Sequence, residues 1–344
     1  VKESVYKELH DFELQDATRV LEWTGDKRVC VAGFEPTKTN EILQLLLPAK
    51  LHTRENQCLE RDLKVEHGGF SEHPVYSLKH VPHSSLLVTS GPAASPVQVW
   101  EIGNDEKDVI KPLRAIPSRT GKETYTKIAT TSMPSPRVAH GSKADSVNIT
   151  EIESDKVLYS LDVTRSDPVG NLYFVDCNTF FVCCTSGLLY VADVRQPHPA
   201  LEGKKDATPA IASLSSEGHI VITDTRKLGS PLKSARSRAS TPASSELFMC
   251  VSWAPVLDDT IAISGLDSTV QIYNTSSWDA TMRERDPLFT HKGHSVVADG
   301  EDESVPMVTV HSWHPWNERT LLSAATDGSL HAWDWSDKLI ERDS

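Results

Sequence analysis

The chain has 344 residues, 38% of them hydrophobic and 24% charged, the balance of an ordinary globular protein. Its 48 acidic against 35 basic side chains leave a net charge of −13, which argues against nucleic acid as the main partner. No apolar run approaches the roughly 20 residues that cross a bilayer, and Val1 to Leu14 carry four acidic groups rather than a signal-peptide core, so neither membrane nor secretion is indicated.

Val5, Leu9 and Phe12 recur at i, i+4 and i+7, which predicts a short amphipathic helix at the start. The next stretch, Asp11 to Leu14, reads as a strand. A strand ending at Trp23 follows, then the apolar segment 29–45, then 86–101, which ends in Trp100-Glu101. Residues 140–153 are a faint copy of the same pattern. Segments 181–195 and 211–226 repeat it with Gly187 and Gly218 in the turn and with an Asp-x-Arg ending, at Asp193-Val-Arg195 and Asp224-Thr-Arg226.

The last third is clearest. Trp253 and Trp313, Pro255 and Pro315, Asp267 and Asp327, and Tyr273 and Trp333 all stand 60 residues apart. Four landmarks with one offset mark an internal repeat. Within each unit a strand ends at Trp-x-Pro, because proline has no N–H to continue a ladder. A second strand, a tight turn at Asp267 or at Asp327-Gly328, and a third, alternating strand follow. Anchors of the third strand fall near Leu45, Trp100, Thr150, Ala192, Thr223, Tyr273 and Trp333. Seven units over 344 residues average about 49 each, which suits propeller blades with their loops. The expected fold is all-β: residues 1–344 as one seven-bladed β-propeller, with segment 1–15 closing the ring against the last blade. One spacing is short, the 31 residues from Ala192 to Thr223. Either that blade has lost a strand, which would bare an edge, or the sequence lacks an insertion near 203–207; the second reading is preferred.

Six cysteines (Cys30, Cys58, Cys177, Cys183, Cys184, Cys250) form no C-x-x-C pair, and four of them lie in apolar β-type runs. They read as buried free thiols in a reducing compartment, cytosolic or nuclear. Histidines gather at His67, His73, His80 and His83 and again at His291 and His294, without the short Cys or carboxylate spacing of a zinc site. Phosphate-loop, nucleophile-elbow and zincin runs are missing, and Asp258-Asp259 reads as a solvated turn. No catalytic, cofactor-binding or metal-ligating residue is expected. The Ser-rich basic stretch 233–245 offers Ser240 and Thr241 as candidate phosphosites or is a passive linker, and 298–304 is an acidic loop. Trp278 and Trp316 have no evident core role; each is a candidate partner contact or folds back on a neighbouring blade.

These residues resemble the WD-repeat family. Gly293-His294, a 38-residue gap and Trp333-Asp334 reproduce its signature in the last blade. The resemblance implies a buried hydrogen-bonded tetrad of His294, Ser323, Asp327 and Trp333. That constellation mimics a hydrolase triad but reads as structural, because the indole N–H occupies the serine hydroxyl. The other six units depart from the signature and are expected to rely on packing. Segments 66–91, 262–279 and 287–294 and the closing blade are similar to a family of WD-repeat assembly factors. That similarity implies a cytoplasmic, non-enzymatic scaffold without cofactors. It further implies, as partners, the two metallo-β-lactamase-fold subunits of the Integrator RNA endonuclease, and as a second reading a microtubule or spindle-pole adaptor in cell division. Spindle poles and the nucleus are further expected locations. A propeller enzyme with a site in the central channel is disfavoured, since the inner residues read as small and apolar.

Overall fold

The computed structural model describes residues 4–48, 63–93, 95–103, 108–117, 124–196, 210–227, 230–238, 248–295 and 305–337. They form seven antiparallel sheets in chain order around a central axis, a seven-bladed β-propeller with no α-helix among the described residues. Strand β1 (Ser4–Glu13) comes first. The blades that follow are β2 (Glu22–Trp23), β3 (Arg28–Ala32), β4 (Asn40–Leu46) and β5 (Lys64–Ser71); then β6 (Ser77–His80), β7 (Leu86–Ser90), β8 (Val97–Ile102) and β9 (Ile110–Ile116); then β10 (Lys127–Thr131), β11 (Arg137–Gly141), β12 (Asn148–Glu151) and β13 (Val157–Ser160). The fourth blade shows β14 (Val169–Phe174), β15 (Thr179–Cys184) and β16 (Leu189–Asp193), and the fifth β17 (Ala210–Leu214), β18 (His219–Asp224) and β19 (Lys233–Arg236). Strands β20 (Cys250–Trp253), β21 (Thr260–Ser264), β22 (Val270–Asn274) and β23 (Phe289–His291) make the sixth. The seventh is β24 (Val308–Trp313), β25 (Thr320–Ala325) and β26 (Ser329–Asp337), completed by β1.

The N-terminal segment is a strand, not the short helix expected from its apolar spacing. It pairs with β26 from Ser4↔Asp337 to Glu13↔Ser329, with a register shift between Tyr6 and Glu8. Leu9 and Phe12, three residues apart in unbroken register, point to opposite faces of the strand, and Leu9 is 42% exposed, so the i, i+4, i+7 spacing marks no shared apolar face. The open edge of β26 decides the matter, because its backbone groups need partners that a helix cannot offer.

Each apolar cluster among the described residues spans two neighbouring blades. Leu21, Val29 and Leu45 of the first blade pack on Leu322, Leu330 and Ala332 of the seventh. Ile272 and Phe289 of the sixth meet Trp313, Leu321 and Trp333 of the seventh. A fully buried Ile, Leu or Val contributes about 1.5–3 kcal/mol; here that energy exists only when a blade has its neighbour. All seven third-strand anchors lie on the third strands. For the fifth blade this follows from geometry: Gly218 (φ 75°) occupies the same tight turn as Gly187 (86°) and Gly328 (88°). The N–H of Ser237 then closes onto Gly218 O at 2.8 Å, as that of Leu161 does onto Val147 O at 2.9 Å. Strand β19 is therefore the outer strand. The positions for the fourth blade's outer strand and the fifth blade's inner strand, like the suspected insertion at 203–207, lie outside the described residues.

Two outer strands are also joined to the next blade. Gly68 of β5 bridges Val109 in parallel, its N–H donating to Asp108 O at 3.0 Å. Arg236 of β19 bridges Glu284, donating to Arg283 O at 2.8 Å and accepting from Arg285 N–H at 3.1 Å. At the first junction a Cβ on Gly69 would lie 2.4 Å from Ile110 O, so only glycine allows the approach. In a meander the first-to-second and third-to-fourth connections emerge on one side of the disc, here the lower face. The second-to-third and blade-to-blade connections emerge on the upper face.

Candidate functional site

His294 sits in a 3-10 turn (Gly293–Ser295) at the entry to the last blade. Its Nε2 is 2.8 Å from Ser323 Oγ, and the Trp333 indole donates to the same oxygen at 3.1 Å. Its Nδ1 is 2.7 Å from Ser329 Oγ, which donates to Asp327 Oδ1 at 2.6 Å. An indole can only donate and a carboxylate can only accept. Ser323 therefore passes its proton to Nε2, and Nδ1–H points at Ser329. The tetrad residues thus meet, but Asp327 reaches His294 through Ser329, a link the sequence reading missed. Its signal was available: a serine two residues after aspartate in a tight turn favours this local bond. Ser323 is fully buried and its proton is committed to His294, so it cannot act as a nucleophile. Burial, with His331 alongside, pushes the His294 pKa down to about 3 against the pull of Asp327. Ser323→Ala should strand the Trp333 N–H and His294 Nε2 at a cost of about 1–3 kcal/mol. Urea unfolding followed by tryptophan fluorescence measures it, and a loss below about 0.5 kcal/mol would contradict this assignment.

His291, His294 and His331 are buried with their ligand atoms within 4.8 Å of one another. Tyr6 of β1 reaches across to His291 Nδ1 at 2.7 Å and accepts the Lys292 N–H at 3.1 Å. His291 Nε2 meets His331 Nδ1 at 3.0 Å. Both nitrogens of His291 and of His294 hold hydrogen bonds, and the His294 and His331 rings lie face to face at 3.9 Å. Lone pairs so disposed do not converge on one tetrahedral ion. The trio is a packed seam that ties the N-terminal strand to two blades. Gly293 fits between its rings, because a Cβ there would lie 2.6 Å from His291 Cε1 and 2.7 Å from His331 Nδ1.

Two expectations need correction. The blades with weaker signatures keep polar pairs: Trp100 donates to Thr89 Oγ1 at 2.8 Å, His140 Nε2 lies 2.9 Å from Thr150 Oγ1, and His67 Nδ1 lies 2.7 Å from Gln44 Oε1. The inner residues are also not all small and apolar. Glu22 pairs with Lys79 at 2.9 Å and accepts the His80 N–H. Arg19 lies over the rings of Tyr76, Tyr125 and Phe248 at 4.7, 5.3 and 5.7 Å. Lys127 sits 3.9 Å above the Tyr125 ring and donates to its hydroxyl. Burial raises the Tyr125 pKa, but Lys127 and Arg19 together outweigh it and hold the phenol below its usual range. His311 is held by Ser252 Oγ at 2.6 Å and Ser264 Oγ at 2.7 Å, and burial drives its pKa to about 3, far from that of a general base working near neutrality. These groups are already committed to one another across blade boundaries.

The thiols follow the same rule: burial is the main cause that pushes Cys183, Cys184 and Cys250 up to about 11, away from nucleophilic thiolate. Cys58, Ser240, Thr241 and the acidic loop 298–304 lie outside the described residues. Trp278 is corrected as a candidate partner contact: it is 7% exposed, edge-on to Tyr273 at 5.8 Å in the core between the fifth and sixth blades. Trp316 is 58% exposed on the lower face.

No protein-family model matches the chain. Over 97% of its length it is 53% identical to "Integrator complex assembly factor WDR73" of Xenopus laevis, covering 96% of that protein. It is 43% identical to the Mus musculus protein of that name over 97% of the chain and 95% of the relative, and 41% identical to the Homo sapiens one over 98% and 97%. The chain belongs to the WDR73 family. Similarity to WDR73 proteins covers nearly the full chain and is not confined to the two C-terminal units that carry the repeat signal. Within this WDR73-family chain the polar constellations described above hold blades together.

Proposed function

We propose that this chain is a non-enzymatic scaffold that assists assembly of the Integrator complex, holding its two metallo-β-lactamase-fold nuclease subunits as a heterodimer in the cytoplasm. The observation that carries the reading is the 41–53% identity, over nearly the full chain, to proteins named Integrator complex assembly factor. Physical chemistry supports the non-enzymatic part. Buried histidines with depressed pKa values, thiols with raised ones and a serine whose proton is already committed lack the exposed, tuned acid–base pair that catalysis needs. Affinity purification of the tagged chain from cytosol, read by mass spectrometry, tests it. Recovery of both nuclease subunits without tubulin is the expected result. Tubulin or spindle-pole proteins without nuclease subunits would overturn it in favour of an adaptor role in cell division.

A further inference from the structure

The two faces of the disc differ in chemistry. On the lower face the first-to-second connections present Met133, Val256 and Trp316, and the third-to-fourth connections present Val109, Leu232, Met282 and Leu288, all between 42% and 64% exposed. Among the described residues of the upper-face connections only Val305 is a comparably exposed large apolar side chain. Single exposed apolar residues are ordinary, but their collection on one side of a ring is not.

Trp316 is also held in place. Its N–H and that of Asn317 donate to His314 Nδ1 at 3.2 and 3.0 Å, which leaves Nε2–H to donate to Asp26 O of the first blade at 3.1 Å. The His314 ring lies edge-on to Trp316 at 6.0 Å and to Trp23 at 4.7 Å. An exposed indole on a braced loop has little conformational freedom left to lose on binding, which favours an anchor at an interface. Some of the charges beside these loops are matched within the chain: Lys233 with Asp259 at 2.7 Å, Arg195 with Asp193 at 2.7 Å, and Arg114 with Asp155 at 3.3 Å. Where charges are paired off in this way beside exposed apolar side chains, an apolar partner surface fits better than a polyanion or a basic tail.

We propose that the lower face, anchored by Trp316, is the docking surface of this chain, and that its occupant is a folded protein presenting an apolar, near-neutral patch. The inference rests on the assembly reading, with the nuclease heterodimer as that protein. The test measures binding of the purified heterodimer to the intact chain and to three variants whose melting curves match the parent. Trp316→Ala should weaken binding about 30-fold, as loss of an interface anchor does. Val256→Asp on the same face should weaken it about tenfold, and Val305→Asp on the upper face less than about twofold. Equal affinity for parent and Trp316→Ala, or loss confined to Val305→Asp, overturns the docking face and leaves the assembly reading standing. Light scattering that shows the free chain to dimerise through Trp316 assigns the face to a second copy and also overturns it. If the parent chain itself ignores the heterodimer, the assembly reading fails instead. Oxidative labelling of Trp316 then decides the face: protection in the chain isolated with its native assemblies keeps it, and labelling equal to that of the free chain removes it.

Discussion

A chain beginning at Leu14 should not give a cooperative melt. Strand β1 covers the outer edge of β26 along its whole length, from Ser4↔Asp337 to Glu13↔Ser329. Its loss would bare a long strand carrying Trp333 and Trp335, each 1% exposed in the closed ring, and would remove Tyr6 from His291. Bare edges of this kind pair with other chains. The expected cost exceeds about 5 kcal/mol, comparable with the whole stability of many domains. Circular dichroism should show a broad, low transition and size exclusion should show oligomers. A synthetic peptide spanning residues 4–13, added in trans, should restore a monomer with a sharp transition. A shortened chain that stays monomeric and melts within about 3 °C of the parent would refute closure by this strand.

The second large effect is acid lability well above the carboxylate range. Burial lowers His140 to about 4, His294 and His311 to about 3 and His291 to about 2, the last aided by its neighbours His294 and His331. In the unfolded chain each returns to about 6.5. Above that value neither state is protonated and these groups leave stability unchanged with pH. Below it the unfolded chain takes up protons that the folded chain refuses, so stability falls as the pH falls. At pH 5 each such histidine costs about 2 kcal/mol, and four together cost on the order of 5–8 kcal/mol. Urea midpoints should therefore drop steeply between pH 7 and 5. Exchanging His140 for glutamine, which keeps a polar group near Thr150, should flatten that drop by about a quarter. A midpoint constant from pH 7 to pH 5 would show that these rings protonate inside the fold.

The repeat was legible because Trp253 and Trp313, with their matching prolines and aspartates, keep one offset, and because tight turns need glycine at positions such as Gly187 and Gly328. Even the weakly marked third strand at Thr223 could be placed. The closing strand was placed at Asp11 to Leu14, but its extension back to Ser4 was not: a register shift inside β1 scrambles its alternation, and the partner that makes it a strand, β26, lies more than 300 residues away in the chain. The site was read in part. His294, Ser323, Asp327 and Trp333 are close in the fold, but Ser329 enters because a serine hydroxyl can both accept and donate, which spacing does not reveal. Trp278 looked free because its cover, Tyr273 and the core of a neighbouring blade, is assembled only when the ring closes. The cation and ring cluster around Arg19 was invisible for a similar reason: its members come from four separate blade connections.

The parallel bridges at Gly68–Val109 and Arg236–Glu284 give the circumference a tensile role. A ring held only by apolar wedges near its hub would gape at the perimeter whenever a blade leaned outward. Stitches at the perimeter oppose that lean as a hoop opposes the staves of a cask. Amide exchange should then slow in joined blades as a pair, so that the first and second blades, or the fifth and sixth, breathe together rather than one at a time.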